Sequence, residues 1–250
     1  HLRTEIQGDI AHIVLARPER HNALTLAMLA AIEQACGAIA ESNARTVVIR
    51  GDGRSFCAGM DLEAFRSGPL LAADPERRYD AASLGRSAME AIAGLPQVTV
   101  AALHGHVVGG GVVIAAACDF AVADWSATFS IPEIDVGIPL AWGGIERLVA
   151  AVGPMRAKEL VMTGRRFTAE EAASWGLVTR LVPDGEALDG ALDLATVVAG
   201  KARFPIATTK RHVAEVASGD TSRDDAMGLV AAVEDPESAA MREEYLARFD

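Results

Sequence analysis

The sequence predicts an α/β protein in which strands and helices alternate until about residue 186 and then give way to helix alone. Twice, at 46 to 65 and at 98 to 118, an apolar strand runs into a glycine-containing loop and then a buried helix. Ahead of the first unit, residues 2 to 7 and 10 to 16 read as two strands joined at Gly8 and Asp9, a hairpin signal. Past residue 186 only helical spacing remains. At 250 residues the chain can bury a full core, as one large domain or as one domain with an appendage.

The elements follow in order. Arg17 to Asn22 is a polar loop, and Thr25 caps a helix with apolar side chains at Leu26, Leu29, Ile32, Cys36 and Ile39. Thr46 to Arg50 is a β-branched strand closed by Gly51 and Gly53; Ser55 to Leu62 is a glycine-containing loop leading into helical spacing. Residues 66 to 80, with Gly68-Pro69 and Asp74-Pro75, read as a lid-like segment before a helix that ends near Leu95. Val98 to Ala102 is a strand, and three glycines, Gly109 to Gly111, precede a helix of Ala and Val. A short strand at Phe120 to Ala123 and the segment Thr128 to Glu133 lead to a second glycine-rich turn, Gly137 to Gly144. Helices are expected at 144 to 151 and 154 to 162, and Thr168 to Glu171 has the spacing of a capping box. Leu177 to Val182 is expected to be the last strand, and Asp235-Pro236 opens the final helix.

Composition excludes several functions. The net charge of -11 opposes a nucleic-acid partner, which needs a basic face to displace counterions. No apolar run approaches the roughly 20 residues of a membrane span. Three cysteines, Cys36, Cys57 and Cys118, are odd in number and lie in apolar stretches, and no signal-peptide pattern opens the chain; a reducing, cytoplasmic setting is expected.

The triple glycine is the strongest chemical signal. Without Cβ atoms a ligand can approach the backbone, and the first turn of the next helix leaves N–H groups without intrahelical acceptors. Such a turn suits a negatively charged oxygen, or it merely lets a helix pack closely. No dinucleotide fingerprint, Walker A motif or Gly-x-Ser-x-Gly elbow occurs. His104 and His106 share a strand face but lack the further ligands of a metal site, so no metal and no separate cofactor is expected.

Four stretches carry a resemblance: Arg17 to Leu24, Ser55 to Leu62, Gly105 to Gly111 with Cys118 and Asp119, and Pro132 to Glu133 through Gly143 and Gly144. In order and spacing the chain resembles the crotonase superfamily, the enoyl-CoA hydratase/isomerase proteins. The resemblance implies a crotonase-like spiral of strand-strand-helix turns over 1–190, bearing the acyl-CoA site. It also implies a helical region at 191–250 that builds a homotrimer or a homohexamer. An acyl-CoA thioester is the implied ligand, coenzyme A being part of the substrate, with its thioester oxygen between the backbone N–H groups of Met60 and Gly110. Ala58, Asp61, Leu62 and Glu63 are implied to line the coenzyme A end, Arg20 or Lys210 to reach its phosphates, and Gly109 and Trp142 to belong to the substrate-binding set.

Hydratases of this family use two glutamates. The second is present as Glu133; the first falls on Val113, which can neither orient water nor protonate carbon. Ala141 stands about where dehalogenase-like relatives carry a nucleophilic aspartate. One carboxylate facing an oxyanion hole is what a proton shuttle needs, so the expected reaction is 3-enoyl-CoA to 2-enoyl-CoA isomerisation with Glu133 as base and acid. Burial against Phe129, Ile131, Ile138 and Trp142 is expected to raise its pKa. A hydratase of low efficiency and a silent acyl-CoA-binding protein are the alternatives.

Overall fold

The computed structural model describes residues 1–222 and 224–249. Strands β1 (Leu2–Gln7) and β2 (Ile10–Leu15) pair antiparallel across the Gly8 turn. Helix α1 (Leu26–Ala40) starts where the sequence places it, with the Thr25 hydroxyl accepting the Met28 N–H. Its apolar row, Leu29, Ile32, Cys36 and Ile39, is buried.

Strands β3 (Thr46–Gly51), β4 (Val98–Leu103), β6 (Phe120–Asp124) and β9 (Arg180–Val182) run parallel to β2, in the order β1-β2-β3-β4-β6-β9. A second sheet holds β5 (His106–Val108), β7 (Thr128–Ser130) and β8 (Phe167–Thr168) in the order β5-β7-β8. Each turn of chain gives one strand to each sheet and then a helix: β4, β5, α4 (Gly110–Ala117), then β6, β7, α5 (Gly144–Thr163). The turn before them does the same, with Cys57 bridging Val107 in place of a full strand. This spiral sets successive loops side by side at one edge.

The large sheet is buried on both faces, as parallel sheets are. Side chains alternate: Val47, Ile49, Ala101 and Leu103 enter the main core with α1 and α3 (Pro75–Ala93), while Val48, Val100, Ala102 and Val122 meet Ala191 and Ala195 of α7 (Ala187–Ala199). Fully burying each such branched side chain contributes about 2 kcal/mol. In the second sheet Phe129 stacks on Phe167 with ring centres 5.2 Å apart.

Two expectations are revised in detail, and a third is met closely. Asp74 accepts the Glu76 N–H, so α3 begins at Pro75, inside the segment read as lid-like. The short helix α2 (Leu62–Ser67) and a 3-10 turn at Pro69–Leu71 fill the rest. The last strand is shorter than 177 to 182, because Leu177 and Val178 donate back to Ala172 at the end of α6 (Ala169–Ser174). The two helices expected at 144 to 151 and 154 to 162 abut as α5, broken at Gly153, which sits at φ 75° ahead of Pro154. The capping box at Thr168 and Glu171 forms in both directions. Helices α8 (Arg203–Ala217), α9 (Asp225–Glu234) and α10 (Pro236–Leu246) complete the tail. Among the described residues no helix is long and apolar enough to cross a membrane.

Candidate active site

The two glycine-containing loops converge because they are paired. Cys57 bridges Val107 in parallel, with Cys57 N–H donating to His106 O at 3.0 Å and Val108 N–H to Cys57 O at 2.9 Å. Three residues beyond that bridge on each segment come Met60 and Gly110. A Cβ on Gly59 would lie 3.7 Å from Gly110 N, so the segments are still adjacent there. Gly110 is the first residue of α4 and has no intrahelical acceptor for its N–H. Met60 is held from behind: Leu24 N–H donates to Gly59 O at 2.7 Å and Leu24 O accepts the Asp61 N–H at 2.8 Å. That pattern consumes the peptide groups flanking Met60 and leaves its own N–H pointing away from Leu24.

Each of the three glycines meets something different. Gly109, at φ 50° and ψ -112°, donates its N–H to Ser130 O at 2.9 Å, and a Cβ there would stand 2.3 Å from Glu133 Oε1. A Cβ on Gly110 would stand 2.3 Å from the Trp142 ring, and one on Gly111 2.7 Å from Cys57 O. Close helix packing accounts for Gly111. The other two glycines make room for Glu133 and Trp142.

Glu133 follows Pro132 at the start of a 3-10 turn, Pro132–Val136, that ends at Gly137 with φ 74°. Burial disfavours the charged form and raises its pKa above the usual carboxylate value. Ile131 and Phe129 beside it are fully buried, while Ile138 is only partly so and donates its N–H to Glu133 O at 3.1 Å. Glu133 Oε2 is buried and has no hydrogen-bond partner among the described residues. Such an acceptor is costly unless something binds it. Trp142, at φ 60°, lays its ring between Gly110 and Gly85 of α3.

Val113 is 1% exposed, and its Cγ2 would be 2.9 Å from a Cβ on Gly144. That position is buried within the apolar core. Cys57, also at the site, is no nucleophile: burial pushes its thiol up to about 12.

The remaining predicted residues divide. Ala58 donates its N–H to His21 O at 2.9 Å and lies in the converging loop. Asp61 is 8% exposed; it caps α2 through the Glu63 and Ala64 N–H groups and pairs with Arg17 at 2.9 Å. Burial works against its charge, but the Ala64 N–H and the Arg17 guanidinium outweigh it and hold the carboxyl below the usual range. Its side chain is thereby committed to structure. Leu62 is exposed on the first turn of α2, and Arg20 and Glu63 pair with each other on the surface at 2.7 Å.

Lys210 is not brought to this place. Its Nζ pairs with Asp119 at 2.7 Å and donates to Gln97 O at 2.9 Å, beyond the C-terminal end of α4. A helix of 8 residues separates that end from Gly110, roughly 12 Å at the usual rise. The reason is Asp119: it already accepts the Thr99 N–H and hydroxyl, and Lys210 completes its shell.

One group that sequence reading misses is Asn22. Fully buried at φ 57°, its Oδ1 accepts the Arg17 N–H at 2.8 Å while Nδ2 donates to Asp52 O and Ser55 O, both at 2.8 Å. It ties the loop before α1 to the loop that carries Met60. Asparagine tolerates the left-handed region, and its place in a polar loop before Thr25 was the available signal.

Comparison with known proteins places the chain in a family. The family model for enoyl-CoA hydratase/isomerase matches residues 5–248. Carnitinyl-CoA dehydratase of Salmonella enteritidis is 35% identical over 204 residues, 81% of this chain and 76% of that protein. The peroxisomal delta(3,5)-delta(2,4)-dienoyl-CoA isomerase of Arabidopsis thaliana is 30% identical over 218 residues, 84% of this chain and 78% of that protein. A crystal structure of an enoyl-CoA hydratase from Mycobacterium smegmatis superposes with a TM-score of 0.88 at 29% identity, covering 99% of this chain and 96% of that one. With the spiral of two sheets and the paired glycine loops, these matches establish that the chain belongs to the enoyl-CoA hydratase/isomerase family, the crotonase superfamily, whose members act on acyl-CoA thioesters.

Proposed function

We propose that the protein isomerises 3-enoyl-CoA to 2-enoyl-CoA by a proton shuttle on one glutamate. The observation that carries this reading is the pairing of a buried carboxylate, Glu133, with the apolar Val113 where a second carboxylate would serve hydration. Glu133 removes a C2 proton, the dienolate oxygen sits between the Met60 and Gly110 N–H groups, and Glu133 returns the proton to C4. Bonds and charge balance within the substrate, and no water is consumed. Each preorganised donor is worth roughly 3 kcal/mol where negative charge develops. A raised pKa makes the Glu133 carboxylate a stronger base towards the C2 proton and its acid form a weaker donor, which brings the shuttle closer in proton affinity to the substrate carbons between which it works.

In this reading Ala58, Leu62 and Glu63 border the coenzyme A portion, with Arg20 at its outer edge and Gly109 and Trp142 beside the reacting carbons. The region at 191–250 is the oligomerisation part of a trimer or hexamer, and the setting is cytoplasmic. Met227, Leu229, Val230 and Val233 of α9 are all more than half exposed, which supports a covering partner subunit. Light scattering coupled to gel filtration should read three or six chain masses, and Leu229→Asp with Val233→Asp should read one.

The deciding experiment offers 3-enoyl-CoA and 2-enoyl-CoA to the wild type and to Glu133→Gln. Conjugated thioester should form from the first substrate, and the variant should lose roughly a hundred- to ten-thousandfold in rate. Hydration of 2-enoyl-CoA without bond migration selects the hydratase reading, and binding without turnover selects the silent binder.

A further inference from the structure

Beside the candidate site lies a groove of about 730 Å³, between the start of α1, α2, the Pro69–Leu71 turn and α3. It is shallow and open to solvent along much of its length. Two connections join it to the reacting end. Ala81 lines it from α3, and Gly85, one turn further on the same face, carries the Trp142 ring that covers Gly110. Leu26 lines it from α1, two residues after Leu24, whose backbone brackets Met60. The groove thus adjoins the elements that hold Met60 and Gly110, with the Trp142 ring standing between Gly110 and the α3 side of it.

The groove also carries charge of a sign opposite to that of the molecule. Arg66 and Arg77 line it, opposed by one carboxylate, Asp80. Among the described residues neither arginine lies within an ion pair, whereas their neighbours are spent: Arg20 on Glu63, Arg86 on Glu90 and Glu146, and Arg17 on Asp61. In a chain of net charge -11, two uncommitted guanidiniums on one concave surface form a local positive field. Between them and the site the lining includes Leu26, Ala81 and Leu84, which suits methylenes rather than a pyrophosphate.

We propose that Arg66 and Arg77 select an acyl group ending in a second carboxylate, so that the substrate is the mono-thioester of an unsaturated dicarboxylic acid. The inference rests on the acyl-CoA reading of the Met60 and Gly110 site. Guanidinium groups grip a carboxylate through paired charge-assisted hydrogen bonds, and the apolar stretch before them sets the distance from thioester to carboxylate.

Equilibrium binding tests this without turnover, so a missing isomerase activity leaves the result readable. Titration calorimetry compares adipoyl-CoA with hexanoyl-CoA, the ten-carbon pair of the same kinds, and free coenzyme A. At one length or both the carboxylated thioester should bind about tenfold tighter. In Arg66→Gln with Arg77→Gln the preference should collapse to within about twofold while hexanoyl-CoA affinity stays unchanged. Equal weakening of all ligands, free coenzyme A included, assigns the arginines to its phosphates and overturns the proposal. No preference in the wild type at either length, or no binding of any thioester, also overturns it.

Discussion

Glu133 Oε1 lies where a side chain on Gly109 would begin: a Cβ at that glycine would stand 2.3 Å from the carboxylate oxygen. Gly109→Ala therefore acts twice. The backbone at φ 50° strains any L side chain, by about 2 kcal/mol, and the methyl displaces the carboxylate. The variant should fold with a lowered melting temperature and lose at least tenfold in turnover. Wild-type turnover in Gly109→Ala would show that Glu133 does not work from this position.

Burial of Glu133 also sets a pH dependence. Its folded pKa is raised above the unfolded value, so its favourable contribution to stability is complete below the unfolded pKa and is lost as pH rises through the folded one. Glu133→Gln removes that loss. Denaturant titrations should find the variant gaining on the wild type from acid to neutral pH, with parity at the acid end. The activity of the wild type should show an acid limb above the ordinary carboxylate range, and a limb at the ordinary value would contradict the burial argument.

Val113→Glu tests the proposal that a second carboxylate at this position is what hydration requires. Because Val113 is buried beside Gly144 at the start of α5, the change should cost about 3 kcal/mol of stability. Hydration of 2-enoyl-CoA should rise from a low base in the folded fraction. If hydration is already efficient in the wild type and indifferent to this change, Val113 does not divide the two chemistries.

Asn22→Ala removes three hydrogen bonds at once and leaves the Asp52 and Ser55 carbonyls facing a cavity. A loss of about 3 kcal/mol is expected in chemical denaturation. Loss of oxyanion stabilisation should accompany it, seen as a fall in kcat at a temperature where the variant remains folded.

What could be read ahead in the chain follows sequence distance. The Thr25 cap, the Thr168 and Glu171 box and the Asp235-Pro236 start are contacts within three residues, and each is formed as the local pattern demands. The break at Gly153 was legible too, since a glycine before proline cannot continue a helix. Pairings across the fold were hidden: Lys210 with Asp119, Arg20 with Glu63, and Asn22 with the loop at 52 to 55 depend on which residues the spiral brings together. Met60, Gly110 and Glu133 came from the family resemblance. The apolar wall around Val113 and the unpaired Oε2 of Glu133 belong to packing, on which periodicity is silent.

Asp61 connects these layers. It starts α2, neutralises Arg17 and follows Met60 directly, and its carboxyl is held charged by those contacts. Acid strong enough to protonate it therefore loosens the cap and the ion pair together, at the residue adjoining an oxyanion donor. Acid inactivation should accordingly run ahead of acid unfolding: the enzyme would lose its aim while its core still stands.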